Sequence, residues 1–402
     1  MTPSPSPSSS LLLPAPPQPS TPELLHAAYH LSISSAVSHL PPSSTLSVAI
    51  TGQFLPPSWS HLQSLLARLY SLVASISNNA TVDVRIILVD HVPKRDYAKS
   101  SGWKPDLTTT LPDLSTLVAA VAAALKRKSS AWSEILHPSS EAGYGLLQEF
   151  LSLAEDSYKT TFLHRQLVPV PGGIQLANAS TQTIASDGSS GSTERYRTIC
   201  LGGTFDHLHP GHKLLLHAAA LLLSLPTPTD SPPAVFIIGI SGDALLTKKQ
   251  YASVLESWPV RAQAVLSFLS TILPSSSSSH PLEHTPSDGP IGDNEEIRVP
   301  FCDGRLLARC VNIPDPFGPT ITEEAIDAIV VSGETRSGGA AINDKREQKG
   351  WKPLRVFEID VLNVYEEEGR DPNDYSAKIS STEIRKRLAE MVQGNTGGGS
   401  SS

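Results

Sequence analysis

Cysteine is scarce. The chain has only Cys200, Cys302 and Cys310, an odd number without CxxC spacing, which argues against a disulfide framework and a zinc site and favours a reducing compartment. Lysine and arginine are absent from the first 67 positions, so neither the basic start of a secretory signal nor the Arg-rich pattern of a mitochondrial presequence is present. Apolar runs are short. Leu214 to Leu223 is among the longest and reaches about half of the roughly 20 residues that a membrane helix needs. A soluble, cytosolic protein without a membrane partner is expected. The net charge of −8, from 31 basic and 39 acidic residues, with no long basic run, disfavours a nucleic-acid partner.

Three segments are low in complexity, being rich in proline, serine or glycine: residues 1–22, about 179–194 and about 274–290. Such stretches bury too little apolar surface to offset their chain entropy. We therefore expect a disordered tail at 1–22, an α/β N-terminal domain at 23–178 and a linker at 179–194. A catalytic domain at 195–393 follows, with a disordered insertion at about 274–290, and a flexible Gly/Ser tail at 394–402.

From Tyr196 onward, apolar β-type runs alternate with helical patterns. Tyr196–Leu201 reads as a strand, Gly202–Gly211 as a turn, His212–Leu225 as a helix and Ala234–Ile240 as a strand. Later come a helix at Trp258–Ile272, a strand at Ile297–Cys302, a helix at Thr322–Ala328, and strands at Ala328–Ser332 and Leu354–Val361. Such alternation predicts a Rossmann-like α/β domain whose parallel sheet is covered on both faces, with ligands beyond the carboxyl ends of the strands.

The sharpest local feature is Gly202-Gly203-Thr204-Phe205-Asp206-His207-Leu208-His209-Pro210-Gly211-His212, set between a strand and a helix. Its glycines let the backbone approach a phosphate, and the helix start offers unpaired N–H groups to an anion. Two imidazoles three residues apart across a Pro-Gly turn can donate to a phosphoryl centre as its charge grows. A second feature, Ile379-Ser380-Ser381-Thr382-Glu383-Ile384-Arg385, has the composition of a helix N-terminus, where hydroxyls cap the backbone.

GTFDHLHPGH resembles the GTFD-x-x-[HT]-x-GH signature of the adenylyl- and cytidylyltransferase superfamily, and the second feature is similar to its ISSTxIR motif. The resemblance places His209 and His212 on the nucleotide phosphates and Thr204 at the reacting phosphate, with Gly203 and Phe205 beside the ATP. It gives Ser380, Ser381, Thr382 and Arg385 the β- and γ-phosphates, Arg385 as a fixed cation for departing pyrophosphate. Asp315-Pro316-Phe317-Gly318-Pro319-Thr320 and the run Val331 to Asn343, with Arg346 and Gly350, look like the DPFGPT and VSxET…GG…xN…R blocks of eukaryotic and archaeal phosphopantetheine adenylyltransferases. On that likeness Gly333 and Glu334 join the ATP site. Related enzymes also carry a Lys after the strand ending near Ile240 that reaches both substrates; Lys248 is favoured over Lys249. Arg261 reads as a solvated helix residue.

The implied reaction is in-line attack of the 4′-phosphopantetheine phosphate on the α-phosphorus of ATP, with Mg²⁺ on the triphosphate, giving dephospho-coenzyme A and pyrophosphate. No protein nucleophile or protein metal ligand is called for. Pyridine mononucleotide adenylyltransferases share ISSTxIR but usually begin GSFNP. No GxxxxGK[ST] run occurs, so a single activity is expected, and association with other coenzyme A pathway enzymes stays open.

The N-terminal region offers only spacing. Gly52 to His61 is nine positions, as is Gly203 to His212, and His61 to Val84 is 23, as is His212 to Val235. Either these are a generic βαβ unit, or residues 23–178 are a degenerate copy with Ser58 where His209 stands.

Overall fold

The structure is a computed structural model and describes residues 8–55, 58–76, 81–93, 106, 108–126, 132–173, 194–227, 232–273, 296–360, 362 and 381–396. Contacts divide the chain into two compact units, one mainly before and one mainly after residue 195. The expected linker and insertion fall almost wholly outside the described residues, as does Ser380.

The first unit is a five-stranded sheet of β1 (Ser8–Leu13), β2 (Thr45–Gly52), β3 (Asp83–Asp90), β4 (Trp132–Pro138) and β5 (Leu167–Val170), in the order β3-β2-β1-β4-β5 with every neighbouring pair parallel. Helices α1 (Pro22–His39), α2 (Trp59–Ile76), α3 (Leu114–Lys126) and α4 (Glu141–Tyr158) make the crossovers, as parallel neighbours require. Strand β1 corrects the expectation of a disordered tail at 1–22. Leu11, Leu12 and Leu13 are wholly buried, and this strand is the centre of the sheet; its Pro- and Ser-rich flanks hide it from a composition argument. The α1 helix starts with Thr21 as N-cap, accepting from the Leu24 N–H, and Pro22 in the first turn, a combination that satisfies one orphan donor and omits another.

The second unit contains β6 (Thr198–Gly203), β7 (Ala234–Ser241), β8 (Glu296–Phe301), β9 (Leu306–Ile313), β10 (Ala328–Val331) and β11 (Arg355–Glu358), in the order β11-β10-β6-β7-β9-β8. Helices α5 (Pro210–Ala220), α6 (Asp243–Leu246), α7 (Trp258–Ile272), α8 (Arg336–Gln348) and α9 (Ser381–Thr396) accompany it. The α/β reading therefore holds, with three corrections. Strand β8 is antiparallel to β9, because Cys302, Asp303 and Gly304 turn the chain at positive φ in a link too short for a parallel crossover. Strand β9, absent from the sequence reading, is the parallel neighbour of β7. Residues 322–328 are not an α-helix: the carbonyls of Thr320, Glu323, Glu324 and Ile326 accept from the buried Arg346 guanidinium instead, which fixes them in an irregular turn. Helix α9 also continues to Thr396, beyond the expected boundary at 393.

With β8 set aside, each sheet runs 3-2-1-4-5 from its own first strand. In that order β1 corresponds to β6 and β2 to β7. The spacing match that set β2 beside β6 therefore pairs strands of different rank, and His61 lies exposed on the helix after the second strand.

Candidate nucleotide site

In the second unit the strand order reverses between β6 and β10, which run parallel with Val330 opposite Leu201. Open α/β sheets bind ligands outside the carboxyl ends of the strands at such a point. The GTFDHLHPGH turn leaves β6 there, and Ser332 and Gly333 leave β10 at the same edge.

The turn is tightly specified. A Cβ on Gly203 would lie 3.0 Å from the Phe205 ring, so only glycine lets that ring close over the strand end. Phe205 and His207 both take positive φ, +52° and +46°, a costly conformation for such side chains unless the surroundings hold it. The surroundings do. Phe205 is wholly buried, and the His207 N–H donates to Glu256 at 2.7 Å while its ring Nε2 lies 2.8 Å from the Val254 carbonyl.

His209 is the N-cap of α5, and its Nδ1 accepts from the Gly211 N–H at 3.2 Å. In the neutral ring this puts the proton, and so the donor, on Nε2. The His209 and His212 rings stack with centroids 3.9 Å apart and planes 26° from parallel, and His212 also tilts against Phe205 at 5.1 Å. Burial, and then the neighbouring His209, hold the His212 pKa well below the usual histidine value. At neutral pH it is an uncharged imidazole. The structure thus brings Gly203, Thr204, Phe205, His209 and His212 into one half-buried turn.

The second motif meets the first. Ser381 Oγ donates to the Asp206 carbonyl at 3.1 Å. Arg385 is 2% exposed and gives Nη1 to the wholly buried Asp206 carboxylate at 2.7 Å, Nε to the Gln250 carbonyl at 3.0 Å and Nη2 to Thr382 Oγ1 at 3.1 Å. The guanidinium is thus tied to protein acceptors and braces α9 against the turn.

Lys248 and Lys249 lie exposed on the turn after α6, and neither ammonium has a hydrogen bond or ion pair among the described residues. Beyond β10, a 3₁₀ turn at Gly333–Thr335 leads straight into α8, and the Glu334 side chain lies outside the described residues. The other blocks of the resemblance work mainly as scaffold. Asp315 accepts from the N–H groups of Phe317 and Gly318; Asn343 exchanges two hydrogen bonds with the Leu354 backbone; and Arg346 gathers carbonyls as described above.

Sequence reasoning missed Arg261. It is wholly buried and touches the loops after β6 and β7. Its place one turn into a helix that Pro259 opens gave no local sign of this, since its acceptors come from distant segments.

Fold and site define a doubly wound α/β unit with a glycine- and histidine-bearing turn at its switch point. Residues 1–176 match a model described as a domain of unknown function, DUF8446. An uncharacterized protein of Schizosaccharomyces pombe is 34% identical over 206 residues, 51% of this chain and 52% of its own length. A protein of Saccharomyces cerevisiae named phosphopantetheine adenylyltransferase is 32% identical over 194 residues, 48% of this chain and 49% of its own. One of that name from Pyrobaculum aerophilum is 29% identical over 195 residues, 48% of this chain and 93% of its own. The chain thus spans about half the length of the two fungal relatives and nearly all of the archaeal one. No helix among the described residues is long and apolar enough to cross a membrane.

Proposed function

We propose that the second unit transfers AMP from ATP to 4′-phosphopantetheine, giving dephospho-coenzyme A and pyrophosphate. The observation that carries this reading is the stacked His209–His212 pair on the GTFD turn, at the switch point of a doubly wound sheet, in a chain with relatives named for that activity.

An oxygen of the 4′-phosphopantetheine phosphate attacks the α-phosphorus of ATP, a new P–O bond forms, and the bond to the α–β bridging oxygen breaks with its electron pair going to pyrophosphate. ATP enters as its magnesium complex. The attacking phosphate is already ionised at neutral pH, so the enzyme's task is alignment and charge stabilisation. His209 donates through Nε2–H, and the neutral His212 supplies a second imidazole donor without adding a full positive charge to the site. Thr204 lies at the reacting phosphate, Gly203 and Gly333 allow close backbone approach, and Ser380, Ser381 and Thr382 receive the outer phosphates. Lys248 would have to swing in from solvent, and Arg385 orders the Ser381–Thr382 turn from behind.

The test is pyrophosphate release by the pure protein given ATP, Mg²⁺ and either 4′-phosphopantetheine or nicotinamide mononucleotide. Release with the first compound, falling roughly 100-fold in His209→Ala as for loss of one preorganised donor, is expected. Release with only the second, or a His209→Ala rate equal to wild type, would overturn the proposal.

A further inference from the structure

Arg261 has no role in the reaction described so far, yet it is wholly buried. Nη1 donates to the Thr204 carbonyl at 2.6 Å, Nη2 to the Ser241 carbonyl at 2.8 Å and to the Asp243 carboxylate, and Nε to the Glu256 carbonyl at 3.0 Å. A guanidinium withdrawn from water is stabilising only when its donors are matched. Here three of the four acceptors are main-chain carbonyls from three segments, and the carboxylate that pairs with it is 56% exposed. If core stability were the whole requirement, an apolar side chain of similar volume would serve as well or better. An apolar side chain could not hold three carbonyls.

The carbonyl of Thr204 belongs to the peptide that ends in the Phe205 N–H. In a trans peptide the two groups point in opposite directions. Holding the carbonyl toward Arg261 therefore turns the Phe205 N–H the other way. Phe205 sits at φ +52°, a conformation that needs outside support. Its N–H has no hydrogen-bond partner among the described residues, although backbone donors in such sheltered places are rarely left unpaired. Arg346 provides a comparison within the same unit: it too is wholly buried and gathers main-chain carbonyls, but none of them belongs to the GTFD turn.

We infer that Arg261 is a positioning residue, which by gripping the Thr204 carbonyl presents the Phe205 N–H as a preorganised donor to a phosphoryl oxygen of the nucleotide. The inference rests on the adenylyltransferase reading for the identity of that nucleotide. A lysine at 261 keeps the charge but loses the planar fork, so it holds the carbonyls of separate segments less well.

The experiment compares Arg261→Lys with Arg346→Lys in the full chain, measuring melting temperature, KM for ATP and kcat per folded molecule. Both variants are expected to melt earlier. Arg261→Lys should lose roughly 100-fold in kcat, as for a lost oxyanion donor, while Arg346→Lys keeps kcat within about twofold of wild type. Equal kcat losses in the two variants, or none in Arg261→Lys, would overturn the inference. A second measurement needs no variant to fold. In ¹⁵N-phenylalanine-labelled wild type, the Phe205 amide proton should shift downfield on titration with ATP and Mg²⁺, and an unmoved resonance overturns the inference even where turnover is intact. A shifted resonance without pyrophosphate release from 4′-phosphopantetheine would sink the proposed acceptor and leave the role of Arg261 standing.

Discussion

Asp206 and Arg385, 179 positions apart in sequence, form an ion pair at 2.7 Å with both side chains withdrawn from solvent. Asp206 follows the first strand of its unit and Arg385 lies on the last helix, so the pair joins the two motifs that resemble nucleotide-binding elements. Its carboxylate also accepts from the Glu256 N–H at 3.0 Å, and nothing smaller than the whole unit brings these groups together.

Asp206→Asn keeps the shape and the acceptor for Glu256 but leaves a buried guanidinium without its counter-charge. Breaking one side of such a pair costs about 3–5 kcal/mol. Urea unfolding should show a loss of that order, and ATP titration should show weaker binding because the Ser381–Thr382 turn is no longer braced. Adding Arg385→Met should restore part of the stability and none of the affinity. Unchanged stability in Asp206→Asn would mean that the pair does not hold the fold.

His217, buried in the last turn of α5, has an Nδ1 without a hydrogen-bond partner among the described residues, and burial pushes its pKa down to about 3. The unfolded chain takes up its proton near pH 6.5 and the folded chain only near 3, so between these values the unfolded state binds more protons. The contribution is present above pH 6.5 and is lost as the pH falls, by up to about 1.4 kcal/mol per pH unit. His212 adds to the loss in the same direction. Urea midpoints should therefore drop from pH 7 to pH 5, and His217→Leu should flatten that dependence without lowering stability at pH 7. Equal pH slopes for the two proteins would refute this.

Removing residues 1–13 deletes the central strand of the first sheet, not a tail. Loss of that unit's cooperative unfolding is expected by circular dichroism. Leu12→Ala alone should cost about 2–5 kcal/mol, as for other buried leucines. A truncated chain that melts like wild type would show that β1 is dispensable.

One ATP per chain is expected at saturation in equilibrium dialysis. At the carboxyl end of β1, Thr21 occupies the N-cap that His209 fills after β6. Thr51 Oγ1 donates to the Leu13 carbonyl at 3.0 Å and the Tyr29 hydroxyl to the Pro14 carbonyl at 2.7 Å. These bonds hold the carbonyls at this strand end, and the helix start there carries a hydroxyl where α5 carries the imidazole that is proposed to donate to the nucleotide. A stoichiometry of two would contradict this.

Much of the second unit was legible because its signals are local. Ala234–Ile240 is a continuous apolar run within β7, Pro259 sits at the start of α7, and Gly203, Pro210 and Gly211 mark a turn between strand and helix. The antiparallel β8–β9 hairpin was not legible as such, because three successive positive-φ positions at Cys302, Asp303 and Gly304 include two residues that do not advertise that conformation. Residues 322–328 were misread for a different reason. Their composition suits a helix, but Arg346, some 20 positions later, takes their carbonyls.

By itself the sequence determined the alternation of strands and helices and the place of the GTFDHLHPGH turn, since periodicity, glycine and proline act on neighbouring residues. Only the tertiary structure decided that Leu11–Leu13 is a central strand, that Arg261 is buried against Thr204, and that Arg385 faces Asp206. The physical reason is the same in each case. A strand or a guanidinium is stable in a dry interior only when acceptors from remote segments meet it there, and the chain must fold before those segments are neighbours.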